Sequence, residues 1–365
     1  MTTSPTSSLR YFSYLKRAGA WLHDQFYRHF AIFFIIMLVA LVSNEIYIFG
    51  MEIYRWDALL VSGGLTFIVG LRLALNVPLK VDEALLRLIN RGAVQLDPSQ
   101  LPALKSKLEA QTERYAQWYG LFIGAAVFIG FLSVFRLKTQ IPLTILESLG
   151  GYIVGQFLGR AVSYGRLGTF LKDEGIVLQI QPGHLDGAAG FKPIGDLYFF
   201  QAMLIAIPAT YLAIWWLIIP LWSPRYDRWH EVYVGLLAIV LIVEFLAFLL
   251  PIWSFHTEMQ KQKDELLKDA DSLSHSIVEL QARLVNAQSD QERGQLKERL
   301  ALMTERYWAI EQMPTWPVDV RVQRKFTVSN VGLFLPLLIR FLSTKTGTDQ
   351  TIWGDIGKLF ISLFQ

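Results

Sequence analysis

The chain is 365 residues long, 53% hydrophobic and 18% charged, where ordinary soluble domains carry about 25% charged residues, and its mean hydropathy is +0.34. It has no cysteine, which excludes disulfides, thiolate metal sites and cysteine nucleophiles, and its net charge of +3 is too small and too mixed for a nucleic-acid partner. These figures point to an all-α polytopic membrane protein whose first partner is the lipid bilayer.

Residues 1–28 have neither an uninterrupted apolar run nor a small-residue cleavage site, so no signal peptide is expected. Tyr11, Phe12, Leu15, Trp21, Leu22 and Phe26 interleave with Arg10, Lys16 and Arg17. That pattern suits an amphipathic helix lying on the inner leaflet or packed under the bundle. A membrane domain follows over 29–257. Within it six stretches, 29–50, 57–77, 118–135, 141–164, 195–222 and 232–255, supply about 20 mostly apolar residues each, the length that crosses ~30 Å of hydrocarbon. Lys and Arg are retained on the cytoplasmic side. They crowd the N-terminal segment, the loop after the second span (Lys80, Arg87, Arg91, Lys105, Lys107, Arg114) and the loop after the fourth (Arg166, Lys172, Lys192). The opposing loops hold only Arg55, then Arg136 and Lys138, then Arg225 and Arg228. Both termini are therefore expected in the cytoplasm of an inner-membrane, multi-pass protein.

Two cytoplasmic helical hairpins are expected. The first, 79–117, carries Val81, Leu85, Leu88 and Ile89 at helical spacing, breaks at GAVQLDPSQ, and resumes with Leu101, Leu104 and Leu108. The second, 258–312, places Leu266, Ala270, Leu273, Ile277, Leu280 and Leu284 in steps of three and four, as a coiled-coil seam does. It turns at Ser289 and Glu292, read as a capping box, and returns through Leu296, Leu300, Met303, Tyr307 and Ile310. This hairpin either packs on the first or offers its seam to a cytoplasmic protein partner or a second copy. The C-terminal segment 313–365 contains a seventh apolar stretch, 328–342, which is short, holds Pro336 and ends near Arg340, and so reads as re-entrant, interfacial or packed against the bundle. Ile352, Trp353, Ile356, Leu359, Phe360 and Leu363 then form one apolar face.

Ionisable groups are scarce inside the spans, and each is costly in hydrocarbon. Glu244 lies near the middle of the sixth span, with Arg72 of the second span its most plausible partner by depth, either as a gating ion pair or on a solute path. The fourth span repeats Gly151, Gly155 and Gly159 every four residues, with Glu147 on the same row and Gln156 and Arg160 beside it. A face without side chains allows another backbone to approach closely. It packs either inside one subunit or against symmetry mates around a pore.

The loop 165–193 alternates Ile176, Leu178 and Ile180 with Val177, Gln179 and Gln181, the pattern of a short strand before a glycine-rich turn. His184 and Asp186 fall on one side of an extended chain, so they are weak candidates for a divalent cation, or parts of a structural turn; third and fourth ligands are not located and no metal is assigned. PGHLDGAAGF resembles the HPD-x-AGG loop found between membrane spans in a scattered set of uncharacterised bacterial multi-spanning proteins, with Leu185 where that pattern has proline and Ala189 where it has glycine. PTWPVD is similar to a Pro-rich stretch after the coiled region in the same set. The resemblance implies a bacterial inner-membrane setting and no activity.

No Walker loop, HExxH, serine elbow or dinucleotide fingerprint is present, so neither an enzyme nor a cofactor is expected. An intramembrane enzyme acting on lipid lacks a nucleophile and base at matching depth, and the two halves differ too much for an internally repeated transporter. The leading expectation is a homo-oligomeric channel or pore-like protein with a cytoplasmic helical assembly. It rests on the glycine face, Glu147, Glu244 and the amphipathic tail. The alternative is a membrane-embedded sensor or scaffold that recruits partners through 258–312.

Overall fold

A computed structural model of the protein describes residues 30–52, 56–134, 141–222, 224–287 and 289–346. The expected amphipathic segments at 1–28 and beyond 346 lie outside the described residues. Within them the architecture is all-α with one short strand pair. The helices are α1 (Phe30–Phe49), α2 (Ala58–Ala74), α3 (Val77–Asn90), α4 (Leu101–Val134), α5 (Ile141–Gly165), α6 (Leu167–Asp173), α7 (Lys192–Trp222), α8 (Asp227–Asn286), α9 (Asp290–Glu311) and α10 (Val320–Thr346). Among the described residues three helical stretches are long and apolar enough to cross a membrane: Ala58–Asn90, which joins α2 to α3, Lys192–Leu221 and Trp229–Asn286.

Local chemistry sets the breaks. Asp57 caps α2 by accepting from the N–H of Leu59 (3.0 Å) and Leu60 (3.2 Å), which satisfies two of the orphan donors at a helix start. Asn76 separates α2 from α3 because Pro78 has no N–H to return to the preceding turn. After α3 the chain reverses at Gly92 (φ 69°), a left-handed position that glycine adopts without strain. β1 (Val94–Gln95) then pairs antiparallel with β2 (Val177–Leu178), matching Val94 with Leu178 and Gln95 with Val177. The alternation read from the sequence holds in three dimensions: Ile176, Leu178 and Ile180 are buried while Val177 and Gln179 are exposed.

The largest buried cluster sits at one end of the bundle, beside the glycine-rich loop. Leu85 and Leu88 of α3, Leu167 and Leu171 around α6, Phe191, Ile194 and Tyr198, and Ile252 and Phe255 of α8 are all under 2% exposed there. We call this end the loop-side rim. A second cluster joins α7 and α8 at the opposite end, where Trp215 tilts against Tyr226 and Tyr211 against Tyr233.

α8 is one helix of 60 residues, about 90 Å at ~1.5 Å per residue, and it continues beyond the rim into an antiparallel pair with α9. Ala270, Leu280 and Ile310 are the buried points of that pair. The turn differs from a capping box: Ser289 stands at the N-cap of α9 without a side-chain cap bond. Instead Arg293 Nε donates to the Ala287 carbonyl (3.1 Å), satisfying the turn from inside the helix.

The segment expected to be re-entrant, interfacial or packed against the bundle is, through Thr346, a single helix, α10, with Pro336 inside it. It runs antiparallel to α8. Phe326 stacks on Phe248 (4.2 Å), and Leu333 joins the far cluster with Leu237 and Leu241. The register therefore advances along the bundle without turning back, because α10 has the grooves of α7 and α8 to pack into.

Candidate functional site

At the rim, two segments distant in sequence are fastened together. Gln262 of α8 accepts from the N–H of Ile180 (3.0 Å) and donates to the Leu178 carbonyl (2.5 Å), which holds β2 on α8. The Asp186 side chain, 5% exposed, organises the turn that follows. One oxygen accepts from the N–H of Ala188 (2.9 Å) and Gly190 (3.1 Å); the other accepts from Lys192 N–H (3.3 Å) and pairs with Arg91 (2.6 Å). Burial pushes the Asp186 carboxyl upward, but the Gly190 and Ala188 N–H groups, His184 and the Lys192 N–H outweigh it and hold it below the ordinary range. His184 Nδ1 accepts from the Asp186 N–H (3.2 Å). The pair is thus spent on the turn, and among the described residues no group of three or more His, Asp or Glu is placed to hold a metal ion.

The same loop meets the segment after α9. Lys192 Nζ pairs with Asp319 (3.1 Å), which holds that carboxyl below its ordinary range, and Gly195 lies so close to the Pro317 carbonyl that an added Cβ would sit 2.5 Å from it. His256 of α8 bonds the Thr315 carbonyl (2.8 Å) and stacks on Trp316 (4.1 Å between ring centres). Lys263 Nζ donates to the carbonyls of Glu311 (2.9 Å) and Met313 (2.8 Å). PGHLDGAAGF and PTWPVD are therefore neighbours. His256 and Lys263 carried no motif that would have marked them in the sequence.

The glycine row of α5 faces α4. A Cβ on Gly155 would collide with the Tyr119 carbonyl oxygen, one on Gly159 with that of Tyr115, and one on Gly151 would lie 2.8 Å from Val127 Cγ2. Gly120 and Gly124 of α4 answer from the other side, against Tyr152. Backbones at this approach leave no passage between the two helices. Polar groups line the rim-side half of the seam: Arg160 pairs with Glu113 (3.2 Å), Gln117 donates to Glu113 (3.2 Å), Gln156 donates to the Tyr152 hydroxyl (2.9 Å), and Thr112 shares a hydrogen with Ser163 (2.9 Å). Gln156 and Arg160 are brought together with Tyr152 and Glu113. Glu113 was readable only as a charge in a loop hairpin, since its partner lies 47 residues away.

The remaining intramembrane candidates do not converge. Glu244 is 1% exposed, and both carboxylate oxygens are buried without a hydrogen-bond partner among the described residues. Arg72 does not pair with it; it is exposed near the rim-side end of α2, where a long cationic side chain can reach out of the apolar layer. The polar neighbour of Glu244 is Asn330 of α10, whose amide donates to the Phe326 carbonyl (3.0 Å). Glu147 is half-buried on α5. Sequence reading missed Glu45, fully buried in α1, whose carboxylate accepts from Asp57 N–H (2.6 Å) and so ties α1 to the start of α2. An acid late in the apolar run LVSNEIYIF was the available signal.

A cavity of about 400 Å³ lies among α2, α5, α7 and α8, with Thr66, Arg160, Gln201 and Tyr211 in a mainly apolar wall. Comparison of the chain with protein families, with curated proteins and with solved structures finds no match.

Proposed function

We propose that this chain is a multi-pass inner-membrane protein acting as a sensor or scaffold, with the α8–α9 hairpin as its cytoplasmic docking arm. The observation that carries this reading is the continuity of α8, in which one 60-residue helix belongs both to the membrane part and to the hairpin. An uninterrupted helix passes displacement or rotation from one end to the other, whereas a loop at the rim would absorb it. The rim fastens that helix to the glycine-rich loop through Gln262 and to the returning segment through His256 and Lys263. The hairpin also presents uncovered apolar side chains, among them Val278, Val285, Leu302 and Trp308, each at least half exposed. They are the apolar positions from which the arm would contact a partner.

Several features support the membrane placement. Trp229 and Trp253 of α8 are about 36 Å apart at ~1.5 Å per residue, the separation of two aromatic belts flanking a ~30 Å hydrocarbon layer. With the basic loops retained inside, the rim and hairpin are cytoplasmic. α1, α4 and α5 add crossings to those of α2, α7 and α8, and α10 adds a further one. On this course α1 starts on the rim side at Phe30 and α10 ends at Thr346 on the opposite side.

The pore reading has less support, because the glycine face that would line an axis is occupied by α4 of the same chain. The test is a hairpin-shortened protein lacking matching lengths of α8 and α9 beyond the rim. It should insert normally into the membrane and reproduce the phenotype of a full deletion, with photo-crosslinks from Val285 and Trp308 to a cytoplasmic protein lost. Wild-type behaviour of the shortened protein in the cell would rule the docking arm out.

A further inference from the structure

The cavity among α2, α5, α7 and α8 opens to the protein surface, and its volume of about 400 Å³ is that of a ligand pocket. Its wall is formed by side chains such as Ala74, Leu158, Leu204, Ile207 and Val243, and glycines of α2 make the room. A Cβ on Gly70 would meet only Ile207, at 3.9 Å. Thr66 and Tyr211 also line the wall, but their hydroxyls bond within the protein, to the carbonyls of Ser62 and Leu59; the other two polar side chains lie toward the rim: Arg160, close to the end of α5, and Gln201, in the first turns of α7. Gln201 is 3% exposed, and its amide nitrogen is buried with no hydrogen-bond partner among the described residues. A buried donor left without a partner is destabilising, so the site suits an acceptor that the described residues do not supply. Water is a poor occupant, because a buried water needs two to four polar partners and a roomy polar site.

We infer that this cavity holds an acyl chain of a bilayer phospholipid from the rim-side leaflet, with the lipid's ester carbonyl or phosphate oxygens accepting from Gln201 beside the positive charge of Arg160. The orientation follows from the register. α2 and α5 run toward the rim and α7 runs away from it, so Pro78, Arg160 and Gln201 share the rim-side end while Gly63 and Tyr211 close the far end. The polar end of the cavity therefore sits at headgroup level and the apolar length extends toward the bilayer centre. This site rests on α2, α7 and α8 crossing the membrane, and not on the hairpin docking a partner.

The full chain, reconstituted in phosphatidylethanolamine and phosphatidylglycerol nanodiscs, tests it directly. The discs carry either a phosphatidylglycerol with a diazirine in one acyl chain or the free diazirine fatty acid, and adducts are mapped by peptide mass spectrometry after irradiation. With the phospholipid probe, adducts should concentrate on 63–78, 154–161 and 201–211, several-fold above those on Ile239, Ile242 and Phe245, which are exposed on α8. Gly70→Phe fills the space and Gln201→Leu removes the amide; each should lower cavity adducts several-fold and leave α8 labelling unchanged. Should Gly70→Phe not fold, Gln201→Leu carries the test alone. Cavity labelling no higher than on α8, labelling insensitive to Gln201→Leu, or labelling by the free fatty acid only would each overturn the phospholipid assignment. Absence of labelling on α8 itself would instead show that the helices do not sit in the bilayer.

Discussion

Asp186 is the residue on which the rim loop depends. Replacing it with alanine leaves Arg91 and three backbone N–H groups without their acceptor. Removing one partner of a buried charged network costs about 3–5 kcal/mol, so Asp186→Ala should lower the melting temperature of the solubilised protein by several degrees, and Asp186→Asn, which keeps an acceptor oxygen, by less. The pH dependence has a definite sign. Because the native carboxyl is held below its ordinary value, its stabilisation is complete above the unfolded pKa of about 3.9 and disappears as pH falls through the lower native value. Intrinsically corrected hydrogen exchange at Ala188 and Gly190 should stay level from about pH 7 to 5 and rise only below about pH 4. A rise already under way near pH 6, well above the carboxyl range, would sink the assignment. Three residues on, Ala189 adopts φ 50° while 1% exposed. A left-handed residue with a Cβ is strained by about 1–2 kcal/mol. Ala189→Gly should melt within a few degrees of wild type and Ala189→Val far below it, since a β-branched residue tolerates this conformation least. Equal melting of the two would contradict the geometry.

The glycine row of α5 was legible from its spacing, but spacing alone left open what it faces. The structure supplies that from the carbonyls of α4, and it ranks the three positions. Gly155→Ala and Gly159→Ala press a methyl onto backbone carbonyls, which move only if the helices separate, whereas Gly151→Ala meets the end of a Val127 side chain. Gly150→Ala meets nothing within 4 Å and gains helix propensity of about 1 kcal/mol. Melting temperatures should fall in the order Gly150→Ala, Gly151→Ala, then the other two. A flat series would mean that α4 and α5 are not in contact in the membrane. The hairpin was legible for a different reason. Its apolar residues recur at helical spacing in an otherwise polar stretch, so its pairing is written locally. The rim was the least legible element, because its bonds join Arg91 to Asp186, Lys192 to Asp319 and His256 to Thr315 across 59 to 127 residues, and no local pattern encodes such pairs.

For the molecule as a whole, the proposed course of the chain turns on α10. The stretch 328–342 is short, holds Pro336 and ends near Arg340, so its hydropathy alone does not mark a crossing. That judgement assumes a helix surrounded by lipid. α10 instead lies against α7 and α8, with Asn330 8% exposed beside Glu244 and Arg321, Arg324 and Lys325 exposed at its rim-side start. Its 27 residues span about 40 Å, enough for a ~30 Å hydrocarbon layer. The absence of cysteine makes the crossing measurable without background. Single cysteines at Glu298 in the hairpin, Gln323 at the start of α10 and Thr346 at its end can be probed with a membrane-impermeant maleimide in sealed vesicles of both orientations. Cysteines at 298 and 323 should label from one side and at 346 from the other. Labelling of all three from the same side would return α10 to a re-entrant course and place both termini in the cytoplasm. In that case Phe326 and Leu333 would have to leave their partners on α8, and the variant Phe326→Ala would no longer destabilise the protein; with α10 crossing, loss of the stacked ring costs about 3 kcal/mol and lowers the melting temperature accordingly.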